Sequence, residues 1–200
     1  MLYRRQTLKF VLTLASLAVG ISAGATPAEV LIIRHGEKNV TAQGKDDGRD
    51  LSARGYARAN ALAGLFTQDA RMLEFGKPVA IYAGAPKKED TGSIRPFETI
   101  QPTAKSLGLT PITDYISEDS DSMVDKVMKK KAYEGKTVLI SWPHDQIPDM
   151  AKSFGVKKKK VPDWKGSIFD RVWRIKFDDH GDVASFDNLP QHLLPGDSTD

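Results

Sequence analysis

The stretch Val30-Leu31-Ile32-Ile33-Arg34-His35-Gly36-Glu37-Lys38 passes abruptly from an apolar run into a cluster of charge. A short, continuous, largely β-branched run fits a strand buried on both faces of a parallel sheet. Residues 79–83 and 137–141 repeat that pattern, and residues 171–177 set Val172, Trp173 and Ile175 among charged positions as a late strand. Between the runs the apolar spacing changes to that of helices. Ser52 suits an N-cap, and Tyr56, Ala59, Leu62, Ala63 and Phe66 follow it on one stripe. A second helix runs from Pro96 to Gly108, with Pro102 expected to kink it. Residues 123–133 and 147–154 complete the set. Strands separated by helices imply an α/β sandwich with helices on both faces of the sheet.

Ligands of open α/β sheets bind at the carboxyl ends of the strands, so the residues just after each run are the ones to inspect. Arg34 and His35 follow the first run, Arg95 lies twelve residues past Ala83, and Trp142-Pro143-His144-Asp145 follows Ser141. Packing does not require two arginines and two histidines at one sheet edge. Their mutual repulsion is destabilising unless an anion sits among them. A phosphate meets that need, because its oxygens accept forked bonds from guanidinium groups and further bonds from imidazole N–H.

The ordered set also resembles the histidine phosphatase superfamily, the phosphoglycerate-mutase-like proteins. The likeness rests on Arg34-His35-Gly36 after the first strand, Leu51-Ser52-x-x-Gly55 opening the first helix, Arg95 in Ser-x-Arg-Pro-x-Glu-Thr, and His144 after a late strand. It spans residues 30–155. It implies a three-layer α/β/α sandwich with a mostly parallel central sheet, no metal or other cofactor, and two-step transfer through a phosphohistidine on His35. The chemistry of the residues agrees. Neighbouring arginines disfavour the imidazolium and leave a neutral nucleophile, while Arg34, Arg95 and His144 would bind the substrate's phosphoryl oxygens. An acid must also protonate the leaving alkoxide. Asp145, directly after His144, resembles the donor of the acid phosphatase and phytase branch. Glu118 is the positional rival, because the smaller branch takes its acid from a loop after the second-arginine helix. Trp142-Pro143 before His144 departs from the glycine usual in that branch.

At 200 residues, 40% hydrophobic and 28% charged, the composition is that of one globular domain rather than a disordered or polytopic chain. The net charge of +3 would suggest a polyanion partner. Residues 1–25, however, carry Arg4, Arg5 and Lys9 without an acid, then a largely apolar segment of twelve residues over 10–21 and the small-residue motif Ala23-Gly24-Ala25. Twelve residues are too few to span about 30 Å of hydrocarbon, so this reads as a cleaved signal peptide. Arg4-Arg5-Gln6-Thr7-Leu8-Lys9 resembles the twin-arginine export signal. Cleavage leaves 26 basic against 26 acidic residues over 26–200, a neutral single domain expected to be periplasmic or secreted.

These features favour a small phosphorylated substrate, without nucleic acid or lasting membrane association, and leave the oligomeric state open. No cysteine is present to build a disulfide framework or a lipid anchor. A mutase-type phosphotransferase fits export poorly, and a non-catalytic binder of a phosphorylated ligand is the other alternative. Residues 38–50 and 87–92 are expected to be selectivity loops, with Glu37 and Lys38 as a rim ion pair. The lysines of 157–160 read as a solvated loop, His180 and His192 as surface residues, Trp164 and Trp173 as packing, and residues 190–200 as an irregular tail.

Overall fold

The computed structural model describes residues 26–198. Its five-stranded sheet has the order β4-β5-β1-β6-β7, with β1 Glu29–Arg34, β4 Ala80–Ala83, β5 Thr137–Trp142, β6 Arg171–Phe177 and β7 Val183–Pro190. β4, β5 and β1 are mutually parallel, and β6 runs antiparallel to both β1 and β7. In-register pairs such as Leu31 with Leu139 and Ile32 with Ile140 place like side chains on the same face. The period of two then divides each apolar run between two cores. Val30, Ile32, Val138 and Ile140 face α3 Ser120–Lys129 and α4 Ile147–Ser153, whereas Leu31, Ile33, Ile81 and Leu139 face α1 Ala53–Thr67 and α2 Arg95–Leu107. This is the expected α/β/α sandwich with a mostly parallel sheet.

Four local features differ from the sequence expectation. The buried stripe of α1 runs through Gly55, Arg58, Ala59, Leu62, Leu65 and Phe66, which leaves Tyr56 outside. Tyr56 instead donates to Glu98 Oε1 at 2.5 Å. α2 continues unbroken through Pro102, whose missing N–H removes one helical bond, and Gly108 closes it at φ 66°, where a left-handed backbone suits glycine. Residues 38–51 are not a plain loop but a separate hairpin of β2 Lys38–Val40 and β3 Asp46–Leu51. β7 was not anticipated. It follows a turn in which Asp178 accepts the N–H groups of His180 and Asp182.

The surface and packing readings hold. His180, His192 and the lysines at 157–160 are exposed, and the Trp164 and Trp173 rings pack with centroids 4.9 Å apart. Among the described residues no helix is long and apolar enough to cross a membrane. The proposed signal peptide lies outside the described residues.

Candidate active site

The site begins where β1 ends. His35 N–H donates to Trp142 O at 3.2 Å, carrying the β1–β5 ladder one residue past the strand, and the chain then turns at Gly36 against the first turn of α1. That approach admits no side chains. A Cβ on Gly36 would lie 3.0 Å from Gly55 O, and one on Gly55 would lie 2.3 Å from Glu37 O. The turn is tied to α2 by Thr99, which is fully buried. Its hydroxyl accepts from Gly36 N at 2.8 Å and donates to Arg95 O at 2.7 Å. One hydroxyl thus connects the two segments that carry His35 and Arg95.

His35 is 7% exposed, and its Nδ1 lies 2.7 Å from Gly36 O. A carbonyl can only accept, so Nδ1 carries the proton and the Nε2 lone pair is left available. Burial lowers the pKa of the ring to about 4, with the charges of Arg34, Arg95 and His144 adding to the shift and the Gly36 bond opposing it. The ring is therefore neutral near pH 7. Burial contributes more than the arginines to which the sequence argument assigned the effect.

Arg34 is buried with its guanidinium carbon 3.7 Å from the centre of the Phe169 ring. NH1 donates to Gly166 O at 2.7 Å and Ile168 O at 2.9 Å, while its buried Nε has no protein partner. Burial lowers its pKa to about 10, so it stays charged at pH 7. His144, half-buried beyond β5, lies against Gly166, where an added Cβ would come 3.3 Å from its Nε2. Burial lowers the His144 pKa too, with Arg34 and Lys38 adding and Asp145 opposing. The segment around 166–169 is thus a wall that fixes Arg34 on one side and meets His144 on the other.

Arg95 is 3% exposed and is held by the β2–β3 hairpin. Nε donates to Asp50 O at 2.9 Å, NH1 to Asp46 Oδ2 at 3.1 Å, and NH2 to Asp46 Oδ1 at 2.5 Å and to Gly48 O. Lys38 Nζ also reaches Asp46 Oδ2, at 3.1 Å. Lys38 therefore does not pair with Glu37, which instead takes Arg54 and the buried Arg58, the latter shared with Asp197. Glu98 accepts from Leu51 N at 2.8 Å and holds the base of the hairpin to α2.

Both proton-donor candidates are exposed. Asp145 follows His144 and favours the charged forms of His144 and Arg34. Glu118 lies in a loop held at the ends of β4 and β5, because Trp142 Nε1 donates to Ser117 O at 2.8 Å and Ser117 N to Ala85 O at 3.0 Å. Trp142, the departure noted in the sequence, is fully buried and supports that loop. Asp46, Thr99 and Glu98 escaped the sequence reading, although Glu98 and Thr99 stand within the motif around Arg95. Among the described residues no group of three or more His, Asp or Glu side chains is placed to hold a metal ion.

No known family model matches this sequence, and no curated protein is matched by it. Solved structures are matched. The chain is similar to the candidate phosphohistidine phosphatase SixA of Agrobacterium tumefaciens, with 18% identity, TM-score 0.54, and coverage of 82% of this chain and 97% of that one. A phosphoserine phosphatase of Entamoeba histolytica in complex with 3-phosphoglyceric acid is 17% identical, with TM-score 0.54 and coverage of 83% and 99%. A phosphoglycerate mutase of Plasmodium falciparum is 15% identical, with TM-score 0.55 and coverage of 88% and 98%. These likenesses establish the fold, a phosphoglycerate-mutase-like α/β/α sandwich.

Proposed function

We propose that this chain is an exported phosphomonoester hydrolase of the histidine phosphatase superfamily, acting through a phosphohistidine on His35. The carrying observation is a buried, neutral imidazole whose Nδ1 proton is fixed on Gly36 O, leaving Nε2 as a nucleophile with Arg34, Arg95 and His144 around it. The fold shared with phosphatases and a mutase supports the same reading.

In the first step Nε2 attacks phosphorus as the P–O bond to the leaving group breaks, and the oxyanion departs with a proton from a carboxyl group. Arg34, Arg95 and His144 hold the equatorial oxygens as charge spreads over them. We assign the proton to Asp145, with Glu118 as its rival. The resulting carboxylate then takes a proton from water as the water oxygen attacks the phosphohistidine, releasing inorganic phosphate and restoring His35. No step needs a metal. Export rests on the pattern of residues 1–25, and N-terminal sequencing of the mature protein should begin at Thr26.

The test is covalent trapping. Parent protein mixed with a radiolabelled phosphomonoester and denatured in alkali, where phosphohistidine survives, should carry label, and His35→Ala should carry none. Label that persists in His35→Ala, or turnover of p-nitrophenyl phosphate within tenfold of the parent, would remove His35 from the mechanism. Transfer to an added alcohol in preference to water would instead indicate a mutase-type phosphotransferase.

A further inference from the structure

The proposed reaction needs the outer nitrogens of Arg95 for phosphate, and those are the nitrogens that the β2–β3 hairpin occupies. Asp46 presents its two carboxylate oxygens to NH1 and NH2 in the forked geometry that a phosphoryl group would use. Its side chain is 45% exposed, whereas that of Arg95 is 4% exposed, so the carboxylate reaches inward from the rim onto a buried cation. Lys38 Nζ completes the anion's surroundings. Partial burial of Asp46 favours its neutral form, but the bonds and charges of Arg95 and Lys38 outweigh that and hold its pKa below the usual value.

The other anchors of the hairpin do not depend on this carboxylate. Arg95 Nε holds Asp50 O, and Glu98 holds Leu51 N. The base of β3 therefore stays attached when Asp46 lets go. Gly48, at φ 94° in the left-handed region that favours glycine, stands between the fixed base and Asp46, and its carbonyl also accepts from Arg95 NH2, so that bond must open together with the Asp46 contact.

We propose that Asp46 is an internal competitor for the phosphoryl position on Arg95, displaced when a phosphomonoester enters and returning to expel inorganic phosphate after turnover. The inference rests on the phosphatase reading of the Arg95 pocket. It makes Asp46 a residue that sets affinity and product release, with no part in bond making. A ligand bearing two negative charges replaces one carboxylate charge between Arg95 and Lys38 with a net electrostatic gain, which is what lets a phosphomonoester dianion open the contact.

The test is calorimetric titration of the mature chain with inorganic phosphate at pH 8, comparing parent, Asp46→Asn and Asp46→Ser, with circular dichroism confirming the fold of each. Both variants should bind phosphate about two- to fivefold more tightly, because removal of a half-exposed competing ion pair is of that order. In turnover their KM should fall and product inhibition should strengthen. Phosphate should also speed amide hydrogen exchange at residues 46–48 of the parent, as the contact with Arg95 opens. Unchanged or weaker phosphate binding in folded Asp46 variants would overturn the proposal and leave Asp46 as a hairpin anchor, with the phosphatase reading intact. Failure of all three proteins to bind phosphate while folded would refute the phosphatase reading, and the proposal with it.

Discussion

Burial of His35 makes a quantitative demand on stability as well as on reactivity. The ring stands at about 4 against an ordinary 6.5, and it is 7% exposed, so solvent screening reduces the effect little. Because the folded pKa is depressed, the unfolded chain takes up the proton first as pH falls. The stability contributed by the neutral ring is complete above the unfolded value and is lost between about pH 6.5 and pH 4. At about 1.4 kcal/mol per unit, the full loss is ~3 kcal/mol, of which ~2.5 kcal/mol has gone by about pH 4.5. Replacing His35 with Gln removes the titrating group and keeps an amide able to donate to Gly36 O. Urea unfolding of parent and His35→Gln at pH 8 and about pH 4.5 isolates the effect, since the other acids and histidines titrate in both chains. The stability difference between the two proteins should move by ~2.5 kcal/mol in favour of the variant on acidification. A movement below ~0.5 kcal/mol would show that the ring is solvated and that burial does not hold it neutral.

Arg95→Lys should raise KM and lower kcat together, because an ammonium cannot make the forked contact, and full activity in this variant would place Arg95 outside the phosphate pocket. Thr99→Val leaves the buried Gly36 N–H without its acceptor and should cost ~1–3 kcal/mol by chemical denaturation, with Thr99→Ser restoring most of it. Equal stability in the valine and serine variants would mean that the link between the His35 turn and α2 contributes nothing. Chelation with EDTA should leave turnover unchanged, and a loss restored by an added divalent ion would contradict the proposed mechanism. Asp145→Asn should slow alkyl phosphate hydrolysis by ~10²–10⁴ while largely sparing p-nitrophenyl phosphate, whose leaving group needs little protonation. The same pattern in Glu118→Gln, with Asp145→Asn unaffected, would move the donor to the loop that Trp142 supports.

What could be read from the sequence follows from where each residue's environment is decided. The strands of the parallel core announce themselves because both faces are buried, so residues 30–33 and 138–140 are apolar at every position whatever else the chain does. Arg34, His35 and His144 stand out because charge directly after such a run has few structural explanations. Features that depend on partners distant in sequence give no comparable signal. Arg58 interrupts the apolar stripe of α1 because Glu37, Gln191 and Asp197 converge on it. The hairpin is invisible to apolar periodicity because β2 and most of β3 are polar and exposed. It is attached through the side chain of Arg95, 45 residues after Asp50. The expected Glu37–Lys38 pair failed for a local reason. Glu37 lies at the start of the hairpin beside α1, where Arg54 and Arg58 meet it, while Lys38 reaches across the hairpin to Asp46. The proton donor belongs with these distant features. His144-Asp145 is an adjacency in sequence, whereas Glu118 owes its place at the strand ends to an indole N–H donated from β5. Sequence order favours the first and tertiary support the second. The leaving-group experiment can decide between them because it measures proton delivery itself, which neither adjacency nor loop position establishes.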